Sequence, residues 1–131
     1  MAIRHRRVMC RACGWRGEVV EGGAPGLYLL HCESCGEPRR VTREELGDIY
    51  LRYLKGLPED ARQMVAGYDP AAVEACVGAP LTLEALFAAI ETHAGRCSCG
   101  GTLSLEAPPR CRRCRCDDLA DDPDGPGIRY E

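Results

Sequence analysis

Nine of the ten cysteines in this 131-residue chain fall in two clusters whose spacing is typical of metal-binding sites. The first cluster contains two Cys-x-x-Cys-Gly motifs, at residues 10–14 and 32–36, with 18 residues between the cysteine pairs. Two sulfurs three residues apart on a tight turn can face one cation, and the glycine permits positive φ where the turn needs it. We therefore predict one tetrahedral four-thiolate site made of Cys10, Cys13, Cys32 and Cys35. Two disulfides, or unpaired core thiols, are the alternatives.

The second cluster, at residues 97–116, offers five cysteines for four ligand positions. An alternating segment at 102–106 and a Pro-Pro turn after it form a short return path between the first two cysteines and the next two. Cys116 lies past the last pair and is expected to point along the exit strand, although it could instead displace a neighbouring ligand. We predict a second four-thiolate site made of Cys97, Cys99, Cys111 and Cys114.

Both clusters resemble rubredoxin-like zinc ribbons, in which two cysteine knuckles clamp one metal beneath a small antiparallel sheet. The second also resembles a ribbon of bacterial proteins, through Cys97-Ser-Cys99-Gly-Gly and Pro109-Arg-Cys111-Arg-Arg-Cys114. The resemblance implies two structural Zn²⁺ per chain and says nothing of activity, because ribbons occur in polymerases, ribosomal proteins, nucleotide enzymes and adaptors. An S4 site also accepts iron, so a rubredoxin-like electron carrier with iron in the first site stays a further alternative.

The composition agrees with metal binding more than with disulfides. No apolar region follows the charged N-terminus, so no secretory signal is visible, and we expect a cytoplasmic chain whose thiols stay reduced. The sequence contains no run of about 18 apolar residues, so it does not predict a membrane span. Phe and Trp contribute one residue each, which predicts a thin core that two metal ions would supplement.

Arginines accompany both cysteine clusters, although the net charge of the chain is −3. A net acidic chain is a poor general polyanion binder, but two basic segments could contact phosphates. Nucleic-acid binding is therefore an alternative function, with an acidic tail that would compete for the same side chains. The candidate phosphate contacts are Arg4, Arg6, Arg7, Arg11, Arg16, Arg110, Arg112, Arg113 and Arg115.

Other reactive side chains are better explained by structure. His5 and His31 lie near the first cluster, where four thiolates are already available. His93 falls near the end of a predicted helix and suits a C-terminal cap. Cys76 lies on an apolar helical face, so we expect a buried thiol. Trp15 is expected to pack within the ribbon rather than stack on a base.

No catalytic motif is visible, and a closed S4 site has no open coordination position for catalysis. We find no P-loop, no His-Glu-x-x-His and no deaminase pattern in the sequence. The sequence therefore predicts a protein that is not an enzyme and has no evident small-molecule substrate. The favoured function is a protein-interaction or scaffold module, whose partner the sequence does not identify.

Between the clusters, the sequence predicts four short helices. Thr42 and Glu45 form a capping-box signal, and an apolar stripe follows at helical spacing from Leu46 to Leu57. Pro58 suits the start of a second helix through Ala66, Asp69-Pro70 starts a third and Thr82 a fourth.

The expected fold class is therefore a small metal-stabilised α+β protein, with two zinc ribbons flanking a short four-helix segment. Strands are predicted at 18–21 and 27–30, joined as a hairpin around a Gly-rich turn. The C-terminal tail has too little apolar surface to fold alone, so we expect it to be mobile or to lie along a basic surface. The predicted segments are an N-terminal zinc ribbon at 1–41, a helical middle at 42–95, a C-terminal zinc ribbon at 96–119 and an acidic flexible tail at 120–131.

Overall fold

The computed structural model of the chain describes residues 3–125 and 127–130. Within them, two small antiparallel sheets and a group of short helices make a mixed α/β protein. Residues 1–2 of the predicted N-terminal ribbon, and residues 126 and 131 of the predicted tail, lie outside the described residues. No helix of the described residues is long and apolar enough to cross a membrane.

The first sheet, which we call sheet A, is centred on β1, Ile3–Cys10. Strand β2, Arg16–Gly22, pairs with β1 along its whole length, from Ile3 opposite Gly22 to Met9 opposite Arg16. The other edge of β1 pairs with two strands from the C-terminal end of the chain, β6 (Leu119–Asp121) and β7 (Ile128–Tyr130). Sheet A therefore joins both ends of the chain.

The second sheet, sheet B, has β3 (Leu27–Cys32) at its centre. Strand β4, Pro38–Thr42, pairs on one side of it, and the two-residue strand β5, Leu103–Ser104, pairs on the other. The predicted hairpin between the segments at 18–21 and 27–30 is wrong in its pairing, since β2 and β3 belong to different sheets. Only one isolated bridge, between Ala24 and Leu27, closes the turn that links them.

Five helices fill the middle of the described chain: α1 Arg43–Leu46, α2 Asp48–Lys55, α3 Glu59–Gln63, α4 Pro70–Ala75 and α5 Leu83–Ala94. The prediction of four is wrong because Gly47, with φ 58°, ends α1 and starts α2 where the apolar stripe predicted one helix. The predicted N-caps are present at Thr42, Asp69 and Thr82, each accepting backbone N–H groups at its helix start.

The capping box at Thr42 also ties sheet B to the helices. The Glu45 carboxylate accepts the backbone N–H of Thr42 at 3.0 Å and the guanidinium of Arg39, on β4, at 2.9 Å. The Arg39 and Thr42 hydrogen bonds lower the pKa of Glu45 to about 2. This contribution to stability is therefore present above the usual carboxyl pKa and is lost as the pH falls toward 2.

The main hydrophobic core lies between sheet B and the helices. It includes Leu30 and Val41 from the sheet, Tyr50 from α2, and Leu86 and Ile90 from α5. Sheet A has only a small apolar contribution of its own, from Ile3, Val8, Cys10 and Val19. The two sheets therefore differ strongly in how much apolar burial supports them.

The acidic tail lies along the basic strand β1, which is one of the two arrangements that its composition predicts. Asp121 accepts from Arg6 at 2.7 Å, and Asp124 accepts from Arg16 at 3.2 Å. On the other side of the strand, Arg129 donates to Glu18 at 3.0 Å. These pairs are largely exposed, so each stabilises the contact only weakly and the strand pairing fixes the register.

Candidate metal centres

Eight cysteines come together in two tetrads that could each hold a metal ion. We call one the outer centre, because its four cysteines lie before and after those of the other tetrad in the sequence. We call the other, which lies between them in the sequence, the inner centre. The outer centre consists of Cys10, Cys13, Cys111 and Cys114. The inner centre consists of Cys32, Cys35, Cys97 and Cys99.

The sulfur spacing fits a four-thiolate metal site. In the outer centre, Sγ of Cys10 lies 3.6 Å from Sγ of Cys114, and Sγ of Cys13 lies 3.5 Å from Sγ of Cys111. The corresponding distances in the inner centre are also 3.5 and 3.6 Å. A tetrahedron with Zn–S bonds of about 2.3 Å has edges of about 3.8 Å. A disulfide would need about 2.05 Å, so the spacing fits a metal site better than a pair of disulfides.

The predicted grouping of these cysteines is wrong, because neither cluster closes on itself. Each pair from the N-terminal cluster meets a pair from the C-terminal cluster, so the two sites are nested along the chain. The reason is that each N-terminal Cys-x-x-Cys motif is itself the turn of a hairpin, the first between β1 and β2 and the second between β3 and β4. Since the hairpins lie in different sheets, their turns are held apart.

The three Cys-x-x-Cys knuckles share one backbone geometry. The N–H of Gly14 donates to the carbonyl of Cys10 at 2.8 Å, and Gly36 donates in the same way to Cys32 at 2.9 Å. Arg115 donates to Cys111 at 2.9 Å in the third knuckle. The residue after the second cysteine has positive φ each time, 80° and 78° at the glycines and 65° at Arg115. Arg115 thus occupies a position that normally requires glycine.

The fourth knuckle is the same kind of turn shortened by one residue. In Cys97-Ser-Cys99-Gly100, the glycine N–H donates to the carbonyl of Cys97 at 2.8 Å, three residues back rather than four. Gly100 again has positive φ, 89°. Gly101 follows, and a side chain there would place Cβ 2.5 Å from Sγ of Cys32, so the inner centre needs glycine at this position.

Cys116 lies outside both tetrads. Its carbonyl accepts the N–H of Cys111 at 2.8 Å, which is the bond that Trp15 makes to Cys10 and Glu37 makes to Cys32. Cys116 is therefore the residue that closes the knuckle, and its Sγ accepts the N–H of Asp118 at 3.4 Å. The structure therefore gives Cys116 a role in closing the knuckle, outside the two tetrads.

In two of the knuckles, hydrogen bonds to the first cysteine favour its thiolate form. Burial opposes ionisation of Cys32, but the N–H groups of Cys35 and Ser34, both 3.4 Å from its Sγ, and the thiols beside it lower its pKa to about 6. Cys111 has the same arrangement, with Arg113 and Cys114 as donors, and its pKa is also lowered to about 6. Hydrogen bonds of this kind favour the charged form that binds metal.

The second cysteine of the same knuckles retains its proton when no metal is bound. A backbone hydrogen bond near Cys35 lowers its pKa, but burial and the neighbouring sulfurs outweigh that effect and raise the pKa to about 12. The sulfurs around Cys114 likewise raise its pKa to about 12. Because a metal ligand must be a thiolate, metal binding at either tetrad would displace the proton of this second cysteine.

The other side chains considered from the sequence have structural contacts. His31 is buried and its Nε2 lies 3.0 Å from the carbonyl of Val20, which links sheet B to sheet A. His5 faces Glu18 at 3.0 Å, and neither histidine belongs to a tetrad of the described residues. The ring of Trp15 lies directly over Gly17, and Cys76 is buried beside the carbonyl of Asp48.

The candidate phosphate contacts are mostly engaged within the chain. Arg4 and Arg6 both pair with Glu21, at 2.7 and 2.5 Å. Arg11 and Arg16 pair with aspartates of the C-terminal segment, and Arg112 lies 3.8 Å from Glu37. Arg110 donates to the carbonyl of Arg115, and Arg113 lies 3.5 Å from the carbonyl of Cys13. Arg7 packs beside Gly125, while Arg115 is exposed on the knuckle.

Paired cysteine substitutions would test the nested grouping. Cys13→Ser with Cys111→Ser removes two ligands of the outer centre only, so we expect loss of one metal ion per chain. Cys13→Ser with Cys35→Ser damages both centres, and we expect both ions to be lost. Elemental analysis of each purified variant measures this. If the second pair retained one ion and the first retained none, the grouping within clusters would be correct after all.

The knuckle at Arg115 predicts a stabilising substitution. Arg115→Gly removes the left-handed strain of a non-glycine residue and should raise the free energy of unfolding by about 1 kcal/mol. Arg112→Gly is the matched control, because Arg112 lies in the same knuckle without positive φ and the change should destabilise by about 0.5–1 kcal/mol. Denaturant unfolding of the metal-loaded proteins measures the change in the free energy of unfolding for each variant. If the two substitutions changed it by the same amount in the same direction, Arg115 would not be strained.

The profile of the protein family described as Domain of unknown function (DUF8255) matches residues 6–120, so the chain belongs to this family. The match covers both tetrads and the helices between them. No curated protein and no solved structure matches the chain.

Proposed function

We propose that this protein is a non-catalytic scaffold in which two structural Zn²⁺ ions hold together an interaction module, as a cytoplasmic protein with a protein partner. The observation that carries the proposal is the pair of closed four-cysteine tetrads. Four thiolates complete the coordination of zinc, so a bound ion would have no position for water or substrate. Each ion would then fix the fold and leave recognition to the surface.

Zinc is preferred to iron in this proposal because the iron hypothesis required a set of four cysteines that do not share a tetrad. The sulfur tetrahedra are compatible with either metal. The outer centre is bordered by the exposed side chains of Arg112, Arg113 and Arg115, which would offset the net negative charge of a four-thiolate site that holds a divalent cation. The iron carrier proposed for the set Cys10, Cys13, Cys32 and Cys35 has no basis in its original form, since these four do not share a tetrad.

The surface best suited to a protein partner is an apolar groove between sheet B and α5. The groove has a volume of about 420 Å³ and includes Tyr28, Leu83, Phe87 and Leu105 in its lining. Leu83 and Phe87 are 48 % and 38 % exposed, and the Phe87 ring meets Tyr28 edge-to-face at 6.5 Å. Such exposed apolar side chains on a rigid frame are typical of protein-interaction sites.

Nucleic-acid binding is less well supported. Five of its nine candidate arginines already face carboxylates of the same chain, so a polyanion would have to displace them. The arginines beside the outer centre also have a local electrostatic role. We therefore keep the scaffold as the single proposed function.

Elemental analysis of protein purified without added metal tests the zinc assignment. We expect two zinc ions and no iron per chain, because both tetrads are complete and similar in size. Removal of the ions by a strong chelator should increase amide hydrogen exchange in sheet A more than in the core around α2 and α5. Iron in either centre, or protein that keeps its exchange pattern without metal, would contradict structural zinc.

Substitution in the groove tests the interaction role. Phe87→Asp places a charge in the apolar lining, so we expect it to abolish co-purification of the partner with the tagged chain from its native cells. Val77→Asp is the matched control, since Val77 is 89 % exposed and is not among the residues that line the groove. Both variants should keep two zinc ions. Equal recovery of the same proteins with both would exclude the groove as the docking surface.

A further inference from the structure

We infer that the two metal centres form one coupled unit, in which metal at the inner centre strengthens metal binding at the outer centre through contact between Gly36 and Arg110. This inference rests on the proposed function, since it requires both tetrads to bind metal. It adds that neither centre is an independent ribbon, although each has a complete ligand set.

The nested topology supplies the first part of the coupling. Closing the outer centre brings together Cys13 and Cys111, which are 98 residues apart along the chain. When the inner centre is already closed, the remaining connection is much shorter: 19 residues from Cys13 to Cys32 and 12 from Cys99 to Cys111. In a chain without other contacts, shortening the loop this much favours closure by about sixfold.

A direct backbone contact supplies the second part. Gly36 follows Cys35 of the inner centre, and Arg110 precedes Cys111 of the outer centre. A Cβ at Gly36 would lie 2.6 Å from both the backbone nitrogen and the Cβ of Arg110. The two segments therefore touch where each adjoins a metal ligand. A metal ion that fixes Cys35 fixes Gly36, and Gly36 in turn positions the segment that carries Cys111.

Further contacts follow the same boundary between the centres. Arg112, inside the outer knuckle, lies 3.8 Å from the Glu37 carboxylate just beyond the inner knuckle. His31, which precedes the inner ligand Cys32, is 3.0 Å from the carbonyl of Val20 in sheet A. The Glu37 pair is exposed and weak, so the close packing at Gly36 is the contact that couples the geometry of the two centres.

Gly14 offers a control that separates coupling from backbone strain. It follows Cys13 in the outer centre as Gly36 follows Cys35 in the inner one, and its φ of 80° is nearly that of Gly36, 78°. A Cβ at Gly14 has nothing within 4 Å, whereas a Cβ at Gly36 collides with Arg110. Alanine at either position adds similar left-handed strain, but only Gly36→Ala also displaces the other centre.

The experiment measures the affinity of the outer centre for Co²⁺ with the inner centre intact and with it removed by Cys32→Ser and Cys99→Ser. Thiolate-to-cobalt absorbance reports binding, in competition with a chelator of known affinity, on the full chain. The ratio of the two affinities is the coupling factor, and strain within the outer centre cancels from it. We expect a factor of about 10 or more in the otherwise unchanged chain.

The glycine variants then test the route. Gly36→Ala should reduce the coupling factor to about the sixfold entropic part or less, while Gly14→Ala should lower outer-centre affinity and leave the factor unchanged. Linkage requires that metal at the outer centre strengthen the inner centre by the same factor, so removing the outer centre with Cys10→Ser and Cys114→Ser should weaken the inner centre to a similar degree. This reciprocal measurement keeps the test valid if loss of the inner cysteines unfolds the chain.

Each result has a separate meaning for the inference and for the proposed function. A coupling factor near 1, with two ions still bound, would overturn the coupling and leave the structural metal sites in place. A large factor that is equal in both glycine variants would overturn the Gly36–Arg110 route. Failure of the unchanged chain to bind two ions would overturn the proposed function itself.

Discussion

Closure of the chain at the two cysteine tetrads is the constraint on which the rest of this structure depends. The main core lies around sheet B and the helices, while sheet A buries few apolar side chains of its own. Sheet A must nevertheless hold β1 against strands from the opposite end of the chain. Structural zinc, the metal that we propose for the tetrads, contributes on the order of 10 kcal/mol to folding in small domains.

The charge pattern follows from the same constraint. A four-thiolate site with a divalent cation would carry a net negative charge, and arginines lie in β1 and β2, on either side of Cys10 and Cys13, and in the knuckle at 111–115. The acidic C-terminal segment then pairs with β1, where Arg6 and Arg16 face its aspartates. The basic and acidic segments therefore partly neutralise each other where the two ends of the described chain pair beside the outer centre.

Local features of the fold could be predicted from the sequence, and long-range pairing could not. The capping signals at Thr42, Asp69 and Thr82 are sufficient to predict where three helices begin, because an N-cap depends on only a few neighbouring residues. The eight cysteines of the tetrads were identified by spacing, but their partners were not. The arginine-rich sequence of β1 does not predict a strand, and without that strand the pattern does not show the first knuckle as the turn of its own hairpin.

The arrangement of glycines shows why spacing alone could not reveal the nested order. Gly14 and Gly36 look identical in sequence, since each follows a Cys-x-x-Cys pair, and both have the same backbone conformation. Only one of them packs against another part of the chain, and its neighbour belongs to the other cysteine cluster. A glycine that is required only for its positive φ cannot be distinguished in the sequence from one that is also required because another segment packs closely against it. The difference between them is the contact that joins the two centres.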